Sequence, residues 1–446
     1  MTPRHYARIG WLVWAFASLP AVIQAQERLL LPEAIAAALT ANPDVVAAHA
    51  ATGEAEEQLP QARAGFLPRL DFLQSWQRGN QPVFVFGSLL AQRQFTEADF
   101  ALEPLNNPEP LTNSRSAFSL EQLLFDGGRT RAAVRAASST AAAATAAERQ
   151  TRNDLALAAT RAYGQVLRAA GERRAAESAV ASADEVVRTA EARRDAGTGT
   201  EADVLSVHVH RAQMRARAID AVSGERIARA ELNRLMNTAV DREWILVEPA
   251  AAEAGPSDMS TLTEQAVRQR PEIEQAVLQR DISRALHESA RSALMPHVAV
   301  QGGYEWNDGR RAGPSGSWIA AANVRMNLFS GGASSARVRQ ASFAMQRAEA
   351  ERTRAEAAVR IELMTAVEQL GAARARQDIS RATVLQARES ERMIRDRYQA
   401  GIAPAADVIR AATAVLDAES QRINAVIDVV VGEAALRRAA GEEVYR

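Results

Sequence analysis

Arg397-Tyr398-Gln399-Ala400-Gly401-Ile402, followed by Asp407-Val408-Ile409, decides how this chain is read. A long Ala- and Arg-rich helical pattern runs into the stretch, breaks at the glycine, and a second pattern starts just beyond. Arg194-Asp195-Ala196-Gly197, then Asp203-Val204-Leu205, repeats it. Gly197 and Gly401, like Asp203 and Asp407, are 204 positions apart, while Arg194 and Arg397 stand one place out of that register. A helix–turn–helix made twice predicts an internal duplication.

Working outward, residues 129–195 and 333–399 contain no proline. At 1.5 Å per residue each would be a helix of ~100 Å, far longer than one compact domain. Alanine dominates both, with Arg and Glu around it. Val359, Leu363, Val367 and Leu370 step by four and three, a seam for neighbouring helices. Return helices are expected over about 201–237 and 405–441, the second with Val408, Val415, Ile423, Val426 and Val430 on its apolar side. The helices are short of bulky apolar residues for a private core, which argues for partners.

Paired glycines precede each long helix, in Leu124-Phe125-Asp126-Gly127-Gly128 and Leu328-Phe329-Ser330-Gly331-Gly332. They suit a sharp turn from extended to helical backbone. Before them lie alternating segments. Val298, Val300, Tyr304 and Trp306 alternate with Ala299, Gln301, Gly303 and Glu305. Trp318, Ala320, Ala322, Val324, Met326 and Leu328 alternate with Ser317, Asn323, Arg325 and Asn327. Leu70, Phe72 and Trp76 open a third strand, and Phe118 to Phe125 belong to a fourth. Such alternation with aromatic ends fits a barrel strand with one lipid face and one wet face, or a half-buried hairpin of a soluble domain. A proline-containing loop, about Gln81 to Asn113, joins one strand pair, and a Gly-rich one, Asp308 to Gly316, the other.

Each half opens with short helices. Leu31-Pro32-Glu33-Ala34-Ile35 and Leu262-Thr263-Glu264-Gln265-Ala266-Val267 start them, and Pro43/Pro271 and Pro68/Pro296 are both 228 apart. Arg4, Arg8, the apolar run Ile9 to Ile23 and Ala25 read as a secretory signal peptide over 1–25. Repeat 1 is then 26–237, with strands near 68–78 and 114–125 and hairpin 129–237. A linker covers 238–260. Repeat 2 is 261–446, with strands near 296–307 and 316–329 and hairpin 333–441.

Composition excludes several chemistries. The formal net charge is −1, so no polybasic field points to nucleic acid. All 53 basic residues are Arg, which rules out a Lys-bearing phosphate loop or a Schiff base. With Cys 0, there is no disulfide, thiolate metal site or Cys nucleophile. His208 and His210 are two apart on a helix and point to different sides, so they make a poor metal pair. No carboxylate pair or triad stands out; the expectation is no enzyme, no cofactor and no metal.

The duplicated starts, the Phe-(Asp/Ser)-Gly-Gly exits and the two Gly turns followed by Asp-Val resemble the TolC family of outer-membrane efflux proteins. The resemblance implies an α+β membrane protein that is a homotrimer. Four strands per chain would enter a shared 12-stranded outer-membrane β-barrel, continued by a helical coiled-coil tunnel in the periplasm. It implies a passive exit duct of a tripartite efflux or secretion system. A periplasmic adaptor (membrane fusion) protein would dock, and an inner-membrane pump of RND, ABC or MFS type would act through it. Asp407 falls on the family's main aperture ring, and Asp203 and Tyr398 on positions that hold the closed state. Gly197, Thr198, Gly401 and Ile402 correspond to the adaptor-docking tips. Two departures stand out: Arg410 replaces a further aspartate and can pair with Asp407 at i,i+3, and Ala403 replaces a gate arginine. The competing reading is a structural coiled coil, a periplasmic spacer or surface fibre without transport activity.

Overall fold

The computed structural model describes residues 27–249, 258–309 and 312–444. The signal-peptide segment 1–25 lies outside the described residues, as do 250–257 of the expected linker and 310–311 of the expected Gly-rich loop.

In chain order the elements are β1 (Arg28–Leu29), α1 (Leu31–Ala41), α2 (Pro43–Arg63), β2 (Arg69–Gly79), α3 (Pro82–Ala91), α4 (Leu102–Asn106), β3 (Leu111–Phe125), α5 (Arg129–Asp195) and α6 (Glu201–Leu235). The second half runs β4 (Ile245–Leu246), α7 (Met259–Gln269), α8 (Pro271–Ser292), β5 (His297–Gly309), β6 (Ala312–Arg325), α9 (Ala333–Gln399) and α10 (Ala405–Ala440). The same succession of short helices, strand pair, long helix and return helix occurs in both halves, and α5 and α9 are each 67 residues long.

The packing of the long helices follows a seven-residue repeat. On α5, Leu155, Ala162, Ala169, Ala176, Ala183 and Ala190 are all buried. On α9, Val359, Ala366, Ala373 and Ser380 alternate with Leu363, Leu370 and Val384. A 3.5-residue period keeps one seam facing the neighbour and winds the pair left-handedly. Small residues set how close the neighbours come. A Cβ on Gly164 would lie 2.6 Å from the Ile427 side chain, and one on Gly171 2.7 Å from that of Ile423. Two glycines seven apart thus seat two isoleucines of α10.

The expectation that the helices lack a private core needs correcting. Leu29, Ile35, Leu39, Val45, Leu155, Tyr163, Val166, Leu232, Leu235 and Met236 form one continuous cluster. α1 and the parallel β1–β4 pair bring apolar side chains that the long helices lack. The Tyr163 hydroxyl lies 2.8 Å from the Leu29 carbonyl and 2.7 Å from that of Val247, and accepts the Val247 N–H at 2.9 Å. Burial, with a smaller push from Glu33, outweighs that N–H and moves its pKa up to about 12. Each half also clamps its return helix through the residue before a proline. Asn42 Nδ2 donates to the Leu235 carbonyl at 2.9 Å, and Arg270 Nη1 to the Arg438 carbonyl at 3.2 Å.

β2, β3, β5 and β6 form one antiparallel sheet in that order, so the two halves meet at β3–β5 and, among the described residues, the edges β2 and β6 are unpaired. The register sorts the side chains. Phe72, Phe118, Tyr304 and Trp318 form one row across all four strands, followed by Leu70, Leu120, Gly302 and Ala320. The opposite face carries Arg69, Asp71, Arg115, Glu121, Gln301, Glu305, Asn323 and Arg325, with Arg115 donating to Glu305 at 2.7 Å. The first face is mainly apolar and aromatic, though Gln74 bonds to Ser114 and Ser116 on it, and the other is mainly polar and charged, with Leu73 and Ile319 among its residues.

Three expectations shift. β6 spans Ala312–Arg325 rather than 316–329, so Met326 and Leu328 lie beyond it, because pairing with β5 extends past Ser315 and, after an irregularity in the register, resumes at Ala312. The segment 81–113 is not an open loop; it holds α3, a 3-10 turn at Glu97–Phe100 and α4. The linker 238–260 contributes β4 to a parallel pair with β1.

Candidate gate and docking site at the helix tips

The two hairpin turns are built alike. α5 ends on Asp195, and Gly197 takes φ +74°; α9 ends on Gln399, and Gly401 takes φ +79°. Both lie in the left-handed region that closes a helix C-terminus with little strain for glycine. The Thr198 N–H donates to the Arg193 carbonyl at 2.8 Å, and the Ile402 N–H to the Arg397 carbonyl at 2.9 Å. Gly197, Gly401 and Ile402 are exposed at the ends of the hairpins, and Thr198 beside them bonds through its Oγ1 to the Arg193 carbonyl. At the strand-to-helix exits, Gly127, Gly128, Gly331 and Gly332 all have positive φ, and a Cβ on Gly127 would meet Met295 at 2.6 Å.

The return helices begin differently, and this separates the two aspartates. Thr200 caps α6: its hydroxyl accepts the Asp203 N–H at 3.1 Å and donates to the Asp203 carboxylate at 2.8 Å. Asp203 is thereby committed to a capping box. The position 204 residues on is Pro404, which has no side chain that can close such a box. The Asp407 carboxylate is left outside the cap and pairs with Arg410, a largely exposed residue one turn along. Among the described residues, the Tyr398 hydroxyl and Asp203 form no hydrogen bond with each other.

Tyr398 is buried, in a cluster with Val186, Val187, Ala190, Val204, Val207, Ala405 and Val408. Burial pushes its hydroxyl pKa up, Arg193 opposes the shift, and Asp203 adds to it. The guanidinium of Arg193 lies 4.8 Å above the Tyr398 ring, donates to the Tyr398 carbonyl, and reaches the Thr198 carbonyl at 3.3 Å. A Cβ on Gly401 would sit 3.5 Å from its Nη2. Arg193 therefore joins the two hairpins of one protomer. Sequence reading missed it, although the 204-residue spacing pairs it with Arg397.

Further from the tips, His208 contacts Glu191 and Arg211, while His210 is buried on another face. Among the described residues, no group of three or more His, Cys, Asp or Glu is placed to hold a metal ion.

The family described as "Outer membrane efflux protein" matches residues 34–238 and 262–442. The outer membrane efflux protein BepC of Brucella suis is 26% identical over 74% of this chain and 72% of its own length. Among solved structures, a membrane protein from Pseudomonas aeruginosa superposes with a TM-score of 0.80 at 20% identity, covering 95% of this chain and 98% of that one. The outer membrane protein VceC of Vibrio cholerae gives 0.78 at 20% identity, covering 93% and 96%. Matched along both halves, the chain belongs to the outer membrane efflux protein (TolC) family and to the outer membrane, with its helices extending into the periplasm.

Proposed function

We propose that three copies of this chain form a passive exit duct of a tripartite efflux or secretion system. The observation that carries this reading is the sheet. Its two edges are unpaired, and its apolar face leaves Phe72, Trp76 and Trp318 exposed, Trp318 to 78%. An open edge is not tolerated in lipid, whereas a closed ring of strands has none. Three copies supply twelve strands, lipid outside and the polar face within.

The long helices continue the ring away from the bilayer and converge at the tips. There Asp407 lines the throat, freed from its helix cap by Pro404 and partly neutralised by Arg410. Three carboxylates about one axis attract cations and repel one another. Asp203 and Tyr398 hold the closed arrangement as cap and core residue, and Arg193 supplies from the other hairpin the guanidinium absent at Ala403. Gly197, Thr198, Gly401 and Ile402 form the surface that meets a periplasmic adaptor, through which an inner-membrane pump supplies the work. The name of BepC as an efflux protein supports the direction of transport. The duct itself binds no cofactor and catalyses nothing. The reading is tested by fractionation: heat-modifiable trimers in the outer membrane support it, and a soluble monomer overturns it.

A further inference from the structure

We propose that a belt of arginines at the strand-to-helix turns holds the anionic headgroups of phospholipids in the periplasmic leaflet of the outer membrane. The apolar face of the sheet does not end with the strands. Phe66-Leu67 stand before β2, and Leu294-Met295, 228 residues on, before β5. Leu124-Phe125 close β3, and Leu328-Phe329, 204 residues on, follow β6. All of these are exposed, Leu328 and Phe329 to 87%. The pairing of His297 with Arg325 sets the start of β5 level with the end of β6. The four apolar pairs therefore form one collar at the helix end of the sheet. Trp76 and Leu67 are nine residues apart, about 23 Å along the membrane normal for strands tilted by ~40°. The apolar band of an outer-membrane barrel is ~25 Å tall, so the collar falls where one leaflet meets its headgroups.

Just beyond the collar come Arg63 and Arg291 at the ends of α2 and α8, Arg129 and Arg131 at the start of α5, and Arg337 and Arg339 near the start of α9. Close packing brings the first four to one level. A Cβ on Gly65 would lie 3.0 Å from the Thr130 side chain, and one on Gly127 3.0 Å from the Ser292 carbonyl. All six arginines are exposed, and among the described residues none of them forms an ion pair. Residues 127–147 and 326–348 contain no Asp or Glu. The neighbouring carboxylates are engaged: Asp126 accepts the Thr130 N–H at 2.7 Å, and Glu288 pairs with Arg135. The placement also runs against local helix electrostatics. A helix N-terminus favours anions, yet α5 opens with Arg129 and Arg131, and neither α5 nor α9 has an acid in its first turn. An external anion relieves that conflict. Guanidinium forks bind phosphate oxygens in pairs. A free anion would leave the apolar collar uncovered, whereas a lipid covers the collar with its chains and meets the arginines with its phosphate. The belt rests on the trimeric barrel proposed above.

Lipids retained by purified trimers are counted by native mass spectrometry after incubation with cardiolipin, phosphatidylglycerol or phosphatidylcholine. The two anionic lipids should be retained and phosphatidylcholine should not, and a wash in ~0.5 M NaCl should strip them. Each arginine near an anionic surface contributes about fivefold to binding, so losing two within reach of one headgroup weakens it roughly 30-fold. Arg63→Gln, Arg129→Gln, Arg291→Gln and Arg337→Gln combined should therefore empty the belt. Arg226→Gln, Arg354→Gln, Arg360→Gln and Arg381→Gln combined alter arginines equally exposed and without ion pairs further down the helices, and should retain lipid as the native chain does. If the belt variant keeps its cardiolipin, or phosphatidylcholine is held equally well, the arginines are a solvated surface and the inference falls while the trimer stands. Should the belt variant fail to assemble, the native trimer's choice between the lipids decides alone. If light scattering shows that the native particles are not trimers, the duct reading falls and the belt with it.

Discussion

Replacing Arg193 by Ala should loosen the tips. The guanidinium stacks over Tyr398 at 4.8 Å and donates to the Tyr398 carbonyl of the facing hairpin. A partly exposed cation–π contact contributes roughly 0.5–1 kcal/mol, and a hydrogen bond from a charged donor about 1.5 kcal/mol. The longer contact to Thr198 adds little. Tip opening that separates the two hairpins of a protomer would lose about 2 kcal/mol per chain, or roughly a 30-fold shift toward the open form. The assay is single-channel recording in planar bilayers. The closed-state conductance should rise in Arg193→Ala and recover only in part in Arg193→Lys, which keeps the charge but lacks the planar fork. A local readout accompanies it. Arg193 holds down a Tyr398 pKa that burial raises, so its removal should move the phenol titration to higher pH. If the conductance is unchanged while the titration moves, Arg193 supports the tip without restraining its opening. If neither moves, the contact carries none of the weight given to it.

Further outcomes concern the throat and the core of the first half. Asp407→Ala should raise conductance and weaken block by multivalent cations, whereas Arg410→Ala, by releasing the carboxylate, should strengthen that block. Unchanged conductance and block would remove Asp407 from the throat. Tyr163 is stabilised in its neutral form, with its pKa raised from 10.0 to about 12, so its contribution is complete below pH 10 and is lost between 10 and 12. Two units correspond to roughly 2–3 kcal/mol, and Tyr163→Phe should lose less thermal stability than the native chain between pH 9.5 and about 12. Equal losses in both would mean that the buried phenol does not govern this range.

Much of the architecture was legible because it rests on local signals. The absence of proline over 129–195 and 333–399 marks two helices whose observed bounds are those same residues. Period-two alternation around Val298–Trp306 marks β5 and its faces. What escaped depends on partners distant in the chain. Pro82, Pro104, Pro108 and Pro110 make 81–113 look like a loop, and nothing in that segment announces that Gln92 will bond with Asn113 and through it Asn307. The Gly-Pro signal before Ser315 suggests a turn; the strand instead passes it with an irregularity in the register and pairs again at Ala312. At the tips, glycine and aspartate were visible through their spacing. The different fates of Asp203 and Asp407 depend on Thr200 in one turn and Pro404 in the other, a contrast of capping chemistry that their shared spacing masks. Arg193 remained hidden for a different reason. Its role comes from the packing of one hairpin on the other, which the register of either hairpin alone does not reveal.

The oligomeric state of the protein extracted from the outer membrane tests the central claim most directly. Light scattering of the detergent-solubilised protein, with gel mobility compared before and after heating, should show particles of three chains that fall to single chains only when heated. Single chains before heating, or recovery of the protein in the soluble periplasmic fraction, would contradict the duct.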